Sequence, residues 1–257
     1  MSSMSGRVVL VTGASRRIAI GAAIARRAVA DGASVFLHSW TPYDAEQPWG
    51  GDTPNALVDE LRAAGGDVAH LEADLADAGA PATLITAARE AFGHVDAVVA
   101  NHARGFGQSL EELTAAELDV TYAVNTRATL LLTQAFAAQH DDARPGGRVL
   151  FFTSGQYHGA QPGELPYIAS KAALHEVTRS LAVHLIPRGI TVNCVNPGPN
   201  ETGWADAATR AEVTALTPGG RWSTPSDTAK LVAWLLSDEA AWVTGQTIAS
   251  DGGWSAR

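Results

Sequence analysis

The sequence predicts an α/β fold, a single doubly wound domain with a seven-stranded parallel sheet flanked by helices on both faces. Two observations carry this. Short runs dense in Val, Ile, Leu and Phe alternate along the chain with longer stretches of helical pattern, and strand–helix alternation calls for a parallel sheet with right-handed crossovers. The apolar runs are continuous rather than alternating, as in strands covered on both sides. A length of 257 residues suits one such domain. No repeat, linker or low-complexity tract divides residues 1–257.

The elements follow in order. A first strand is expected at 7–12 and a helix at 21–30. A second strand at 34–38 leads into an irregular stretch, 39–53, with Trp40, Pro42, Pro48, Trp49 and paired glycines. Helix 54–64, strand 67–72, helix 81–92 and strand 97–101 come next. One long helix is expected over 115–139, then strand 148–153, helix 167–186 and strand 191–196. A second irregular stretch, 198–225, is rich in Pro, Gly, Thr and Trp, with a short helix expected around 206–215. A last strand is expected at 246–249. Loops of this length in a compact domain are commonly functional.

Composition narrows the function. The net charge of −9 disfavours nucleic acid as a partner, because phosphate contacts need a basic face. The single cysteine, Cys194, has no intrachain partner, which fits a reducing cytoplasm. The opening MSSMSGRVVLVTG lacks the apolar core of a signal peptide. No apolar run approaches the ~18 residues of a membrane span. The eight histidines form no ligand-spaced cluster, so no metal is expected.

The segment VVLVTGASRRIAIGAAIA reads as strand, turn and helix start. The first such turn of a doubly wound sheet is where a dinucleotide pyrophosphate docks. Backbone N–H groups at the helix N-terminus point at the anion, and the helix dipole favours negative charge. Gly13 permits the tight turn and Gly21 a close approach, with Ser15, Arg16, Arg17 and Ile20 between them. A carboxylate after the second strand would bind the ribose hydroxyls of NAD. Here SVFLHSWTPYD ends that strand in Ser39 and Trp40, and the nearest acid is Asp44. Arg16 and Arg17 are placed to make charge-assisted bonds to a 2′-phosphate. The expected cofactor is therefore NADP(H), with NAD(H) less favoured.

TGAS followed by Ile-Gly and an Ala-Ile-Ala helix resembles the short-chain dehydrogenase/reductase family, a Rossmann-type fold. The loop is about two residues longer than the family's TGxxxGxG and in this resembles its enoyl-acyl-carrier-protein reductase branch. The resemblance places Asp74 and Leu75 of EADLAD near the adenine, and Asn101 of ANHA beside the cofactor. PYIASKAAL holds Tyr167 with Lys171 four residues later, on one helix face. Ser154 lies thirteen residues before the tyrosine, and Asn125 lies in YAVNTRA. Together these four resemble the family's catalytic tetrad. Pro197, Gly198 and Thr202 of NPGPNET match the segment that the family folds over the nicotinamide.

The resemblance implies reduction of a ketone or oxidation of a secondary alcohol, most similar to 3-oxoacyl-carrier-protein reductases. The cofactor supplies the hydride. Tyr167 exchanges the proton, Lys171 lowers the phenol's pKa, Ser154 holds the substrate oxygen and Asn125 positions a water. Enoyl reductases carry a tyrosine seven residues before the lysine, where this sequence has Glu164. Enoyl reduction and a non-catalytic NADP(H)-sensing protein are the competing readings. The expected partner is a small carbonyl or alcohol substrate, and the family implies a homotetramer or homodimer.

Overall fold

A computed structural model of the chain describes residues 4–53, 55–105, 107–144 and 146–256. The strands are β1 (Val8–Val11), β2 (Ser34–Ser39), β3 (Val68–Glu72), β4 (Ala97–Ala100), β5 (Gly147–Phe152), β6 (Ile190–Asn196) and β7 (Thr247–Ala249). The helices are α1 (Ile20–Ala30), α2 (Thr41–Ala45), α3 (Ala56–Ala63), α4 (Ala80–Phe92), α5 (Ala115–Tyr122), α6 (Ala128–Gln139), α7 (Leu165–Leu185), α8 (Ala207–Leu216) and α9 (Pro225–Leu236).

The seven strands form one sheet in the order β3-β2-β1-β4-β5-β6-β7, and every pairing is parallel. Period-2 alternation sends neighbours on each strand to opposite faces. Val9 and Val11 pack with Ile24 of α1, Leu57 of α3 and Val232 of α9. Leu10 between them packs with Leu84 of α4, Leu132 of α6 and Leu174 of α7. The sheet thus separates two cores, and continuous apolar strands are the sequence signature of that arrangement.

Three expectations change. The helix expected over 115–139 is broken into α5, a π-turn at Ala123–Arg127 and α6. A π-turn inserts a residue and widens the helix, a distortion common at functional sites. Here it carries Asn125, whose buried amide is fully bonded, and those bonds offset the poorer turn packing. The stretch 39–53 is not wholly irregular, because α2 folds back immediately after β2. Helix 54–64 is observed from Ala56, and Pro54 lies outside the described residues. The short helix expected around 206–215 is α8.

Candidate active site

The strand order reverses between β1 and β4, whose carboxyl ends diverge into loops running in opposite directions. Such a switch point is where ligands enter an open parallel sheet. A cleft of about 690 Å³ lies there, lined by the loops after β1, β2, β3, β4, β5 and β6 and by the start of α7.

The β1–α1 turn forms one wall. Gly13 has φ +70°, and a Cβ there would stand 2.7 Å from His102 Cα. A Cβ on Gly21 would stand 2.4 Å from the Gly13 carbonyl oxygen. Only glycine fits either position, which seats the turn against β4 and α1 against the turn. Asn101 locks it from the next strand, its Nδ2 donating to the Thr12 and Gly13 carbonyls at 3.1 Å each. Ala19 stands at the N-cap of α1 without a side-chain cap, and the first turn carries no acid. Free backbone donors and the positive end of the dipole therefore face the cleft, the environment that a pyrophosphate requires.

The two loop arginines part company. Arg16 lines the cleft, donates to the Thr202 carbonyl at 2.5 Å and lies 5.3 Å from the centre of the Trp49 ring. Arg17 turns the other way and bonds Glu60 of α3 at 2.8 and 3.0 Å. Together Arg26 and Arg17 hold the Glu60 carboxyl down at about 2. Of the two arginines expected at a phosphate, only Arg16 lines this cleft. Ser39 also departs from expectation, being buried with its hydroxyl 2.8 Å from His70 Nε2, whereas Trp40 does line the cleft. Trp40 N–H donates to Ser15 Oγ at 3.2 Å. Because α2 folds back, Asp44 enters the cleft beside Ser15, Trp49 and Arg16, and burial raises its pKa. Sequence position alone puts that acid beyond the ribose; the short helix brings it in.

Asp74 and Leu75 line the far end of the cleft, where Asp74 Oδ1 accepts the Ala76 N–H at 2.8 Å. Pro197, Gly198 and Thr202 line the opposite side. Two histidines, His38 and His102, also line the cleft. Their signal was present in SVFLHS and ANHA, but a buried histidine reads as packing until its partners are known.

Ser154, Tyr167 and Lys171 meet at one end of the cleft. The Ser154 side chain stands close enough to Tyr167 to favour its phenolate. Lys171 is buried, its Nζ donates to the Phe152 carbonyl at 3.0 Å, and it lies 5.8 Å from the centre of the Tyr167 ring. The end of β5 is braced against α7 by Thr153 Oγ1, which donates to the Lys171 carbonyl at 3.1 Å. Gln156 Nε2 in turn donates to Thr153 Oγ1 at 2.9 Å. Burial lowers the Lys171 ammonium to about 8. It also raises the Tyr167 phenol to about 12, against the pull of Ser154. Burial is the larger of these two effects on the phenol.

Asn125 does not reach the cleft wall. Its Oδ1 accepts the Arg104 N–H at 2.7 Å, and its Nδ2 donates to the Arg104 carbonyl and to Ser170 Oγ, both at 2.9 Å. It ties the loop after β4 to α7. Among the described residues no group of His, Cys, Asp and Glu could hold a metal, and no helix is long and apolar enough to cross a membrane.

The family model described as enoyl-(acyl carrier protein) reductase matches residues 13–255. The uncharacterized oxidoreductase YjdA of Bacillus subtilis is 37% identical, over 98% of each chain. A short chain dehydrogenase from Burkholderia cenocepacia, solved in complex with NADP, superposes with a TM-score of 0.87 at 34% identity, covering 99% of both chains. The angucycline C-6 ketoreductase LanV, solved with bound NADP, gives 0.88 at 30% identity over all of this chain and 98% of its own. The chain belongs to the short-chain dehydrogenase/reductase family, and it is an oxidoreductase by that membership.

Proposed function

We propose that the chain is an NADP(H)-dependent oxidoreductase that interconverts a ketone and a secondary alcohol. One observation carries the reading: Ser154 and Tyr167 line one end of the cleft together, Ser154 pulls the Tyr167 phenol down against burial, and Lys171 lies one turn beyond Tyr167 on the same helix. A carbonyl oxygen seated between the two hydroxyls meets two O–H donors at once. Tyr167 keeps its proton through neutral pH, the state needed by a group that protonates the oxygen of a reduced ketone. Ser154 stabilises the charge developing on that oxygen. Lys171 holds positive charge behind the phenol and can replace the proton that it gives up. Asn125 acts as a positioning residue that fixes the loop after β4.

The cofactor, when bound, supplies or takes the hydride. The uncapped α1 N-terminus suits its pyrophosphate, and Arg16 beside Ser15 and Trp40 suits a 2′-phosphate. The complexes of related chains with NADP support NADP(H) over NAD(H). Glu164 stands where enoyl reductases carry a tyrosine, which favours carbonyl over C=C reduction despite the family model's description. The same family membership and the lone buried thiol of Cys194 support a cytoplasmic homo-oligomer.

The test is NADPH oxidation with a panel of ketones, followed by Tyr167→Phe. The variant should lose at least about a hundredfold in kcat/KM, the usual scale of a general acid, while its NADPH dissociation constant stays near that of the wild type. Near-normal turnover in Tyr167→Phe overturns the assignment.

A further inference from the structure

The catalytic end of the cleft holds an acid for which proton transfer has no use. Glu164 lies three residues before Tyr167 at the start of α7, lines the same cleft and is exposed. Its side chain does not cap the helix, and among the described residues it has no ion-pair partner. Its backbone is fixed. Glu164 N–H donates to the Gln161 carbonyl at 3.2 Å, and Leu165 N–H to the Gln108 carbonyl at 3.1 Å. The loop passes so close that a Cβ on Gly107 would stand 3.2 Å from the Gly163 oxygen. The backbone that carries the carboxylate is therefore fixed, and the carboxylate lines the same cleft as the reacting hydroxyl.

The cations lining the cleft are committed elsewhere. Both oxygens of Glu117 clasp Arg104, at 2.9 and 3.0 Å. Lys171 is buried on the Phe152 carbonyl, and Arg16 sits by the phosphate turn on Thr202. Aromatic surface completes the wall: Trp204 is 50% exposed with its ring 5.6 Å from that of Trp222, and Trp254 also lines the cleft. A cleft that carries both an exposed carboxylate and aromatic faces receives a cation on an apolar body and repels an anion.

We propose that Glu164 sets the charge specificity of the site, so that it takes ketones or alcohols carrying an ammonium group on an aromatic body and rejects carboxylates and anionic carriers. The inference rests on the carbonyl-reduction reading and names its substrate class. It is tested with three acetophenones of matched shape, bearing trimethylammonium, methyl or carboxylate at the para position, reduced with NADPH. The wild type should prefer the cation over the anion by about tenfold or more in kcat/KM at low salt, and the preference should shrink as ionic strength rises. Glu164→Gln should bring that ratio close to one, and Glu164→Lys should invert it. A ratio is independent of how much of each variant is folded. An unchanged ratio in Glu164→Gln overturns the inference. If the neutral ketone is reduced and the wild type shows no charge preference, Glu164 alone is wrong. If none of the three is reduced, the carbonyl-reduction reading falls and the inference with it.

Discussion

His102 shows how a single residue ties the cofactor turn to the core. Its Nε2 lies 2.9 Å from the Val124 carbonyl, and its Nδ1 lies 2.7 Å from Thr12 Oγ1. A carbonyl only accepts, so Nε2 carries the proton and Nδ1 accepts from the threonine. His38 repeats the pattern: its Nε2 lies 2.8 Å from the Ala73 carbonyl, and its Nδ1 accepts the Gly13 N–H at 3.3 Å. Both rings are neutral, and burial lowers their pKa values to about 3 and about 4. Between those values and 6.5 the unfolded chain binds protons that the folded chain refuses. Stability is therefore complete above pH 6.5 and declines as pH falls, by at most about 1.4 kcal/mol per pH unit for each histidine. A urea midpoint that drops between pH 6.5 and 5, with a shallower drop in His102→Gln, is the expected result; a flat midpoint contradicts it. At this scale Ser154, Tyr167 and Lys171 were legible, because spacing along one helix and one strand end suffices to bring them together. Arg16 and Arg17 were not separable, since the partner that draws Arg17 away is Glu60, brought near only by the fold.

Among the elements, α2 and the π-turn do what the chain's pattern does not announce. Five residues with a proline give no periodicity to read, and an inserted residue inside a long apolar helix leaves the pattern nearly unchanged. Yet these two pieces meet the same loop. Tyr43 of α2 donates its hydroxyl proton to the Gly105 carbonyl at 2.7 Å and accepts the Gly105 N–H at 3.1 Å. The Arg104 guanidinium lies 5.4 Å from the centre of the Tyr43 ring, while Asn125 in the π-turn holds the Arg104 backbone. A strap thus joins the loops after β2 and β4 across the switch point. Tyr43→Phe removes its hydroxyl bonds and should raise the NADPH dissociation rate several-fold, given about 0.5–1.5 kcal/mol for each bond lost. Stopped-flow release of NADPH measures this, and an unchanged rate refutes the strap. The strands and most of the other helices were readable from pattern alone, since two-sided burial leaves apolar runs and amphipathic helices leave a period; α9 was not read, because it begins at the end of the irregular stretch 198–225.

The whole molecule exposes apolar side chains around the end of α7 and the segment before β7. Trp242 is 97% exposed and Val183 75% exposed, and the two regions adjoin where a Cβ on Gly245 would lie 3.3 Å from Ala182 Cβ. Exposed apolar surface of this kind marks contact between chains. Light scattering at micromolar concentration should give a mass above that of one chain, and Trp242→Glu should shift it toward one; a monomeric wild type defeats the expectation. The parallel sheet followed from strand–helix alternation, whereas exposed apolar side chains such as Trp242 leave no pattern in the sequence.

The helix α8 buries none of its residues. It is held by its Asp206 cap on the Thr209 N–H, by Arg210 paired with Glu201 at 3.0 Å and by Trp222 Nε1 on the Arg210 carbonyl at 2.9 Å. Neither core extends into it. The polypeptide therefore divides into a frame that carries both cores and a cover that neither core reaches. The cover can be shortened, lengthened or grafted from another chain without disturbing the frame, and that is where retargeting by engineering should begin.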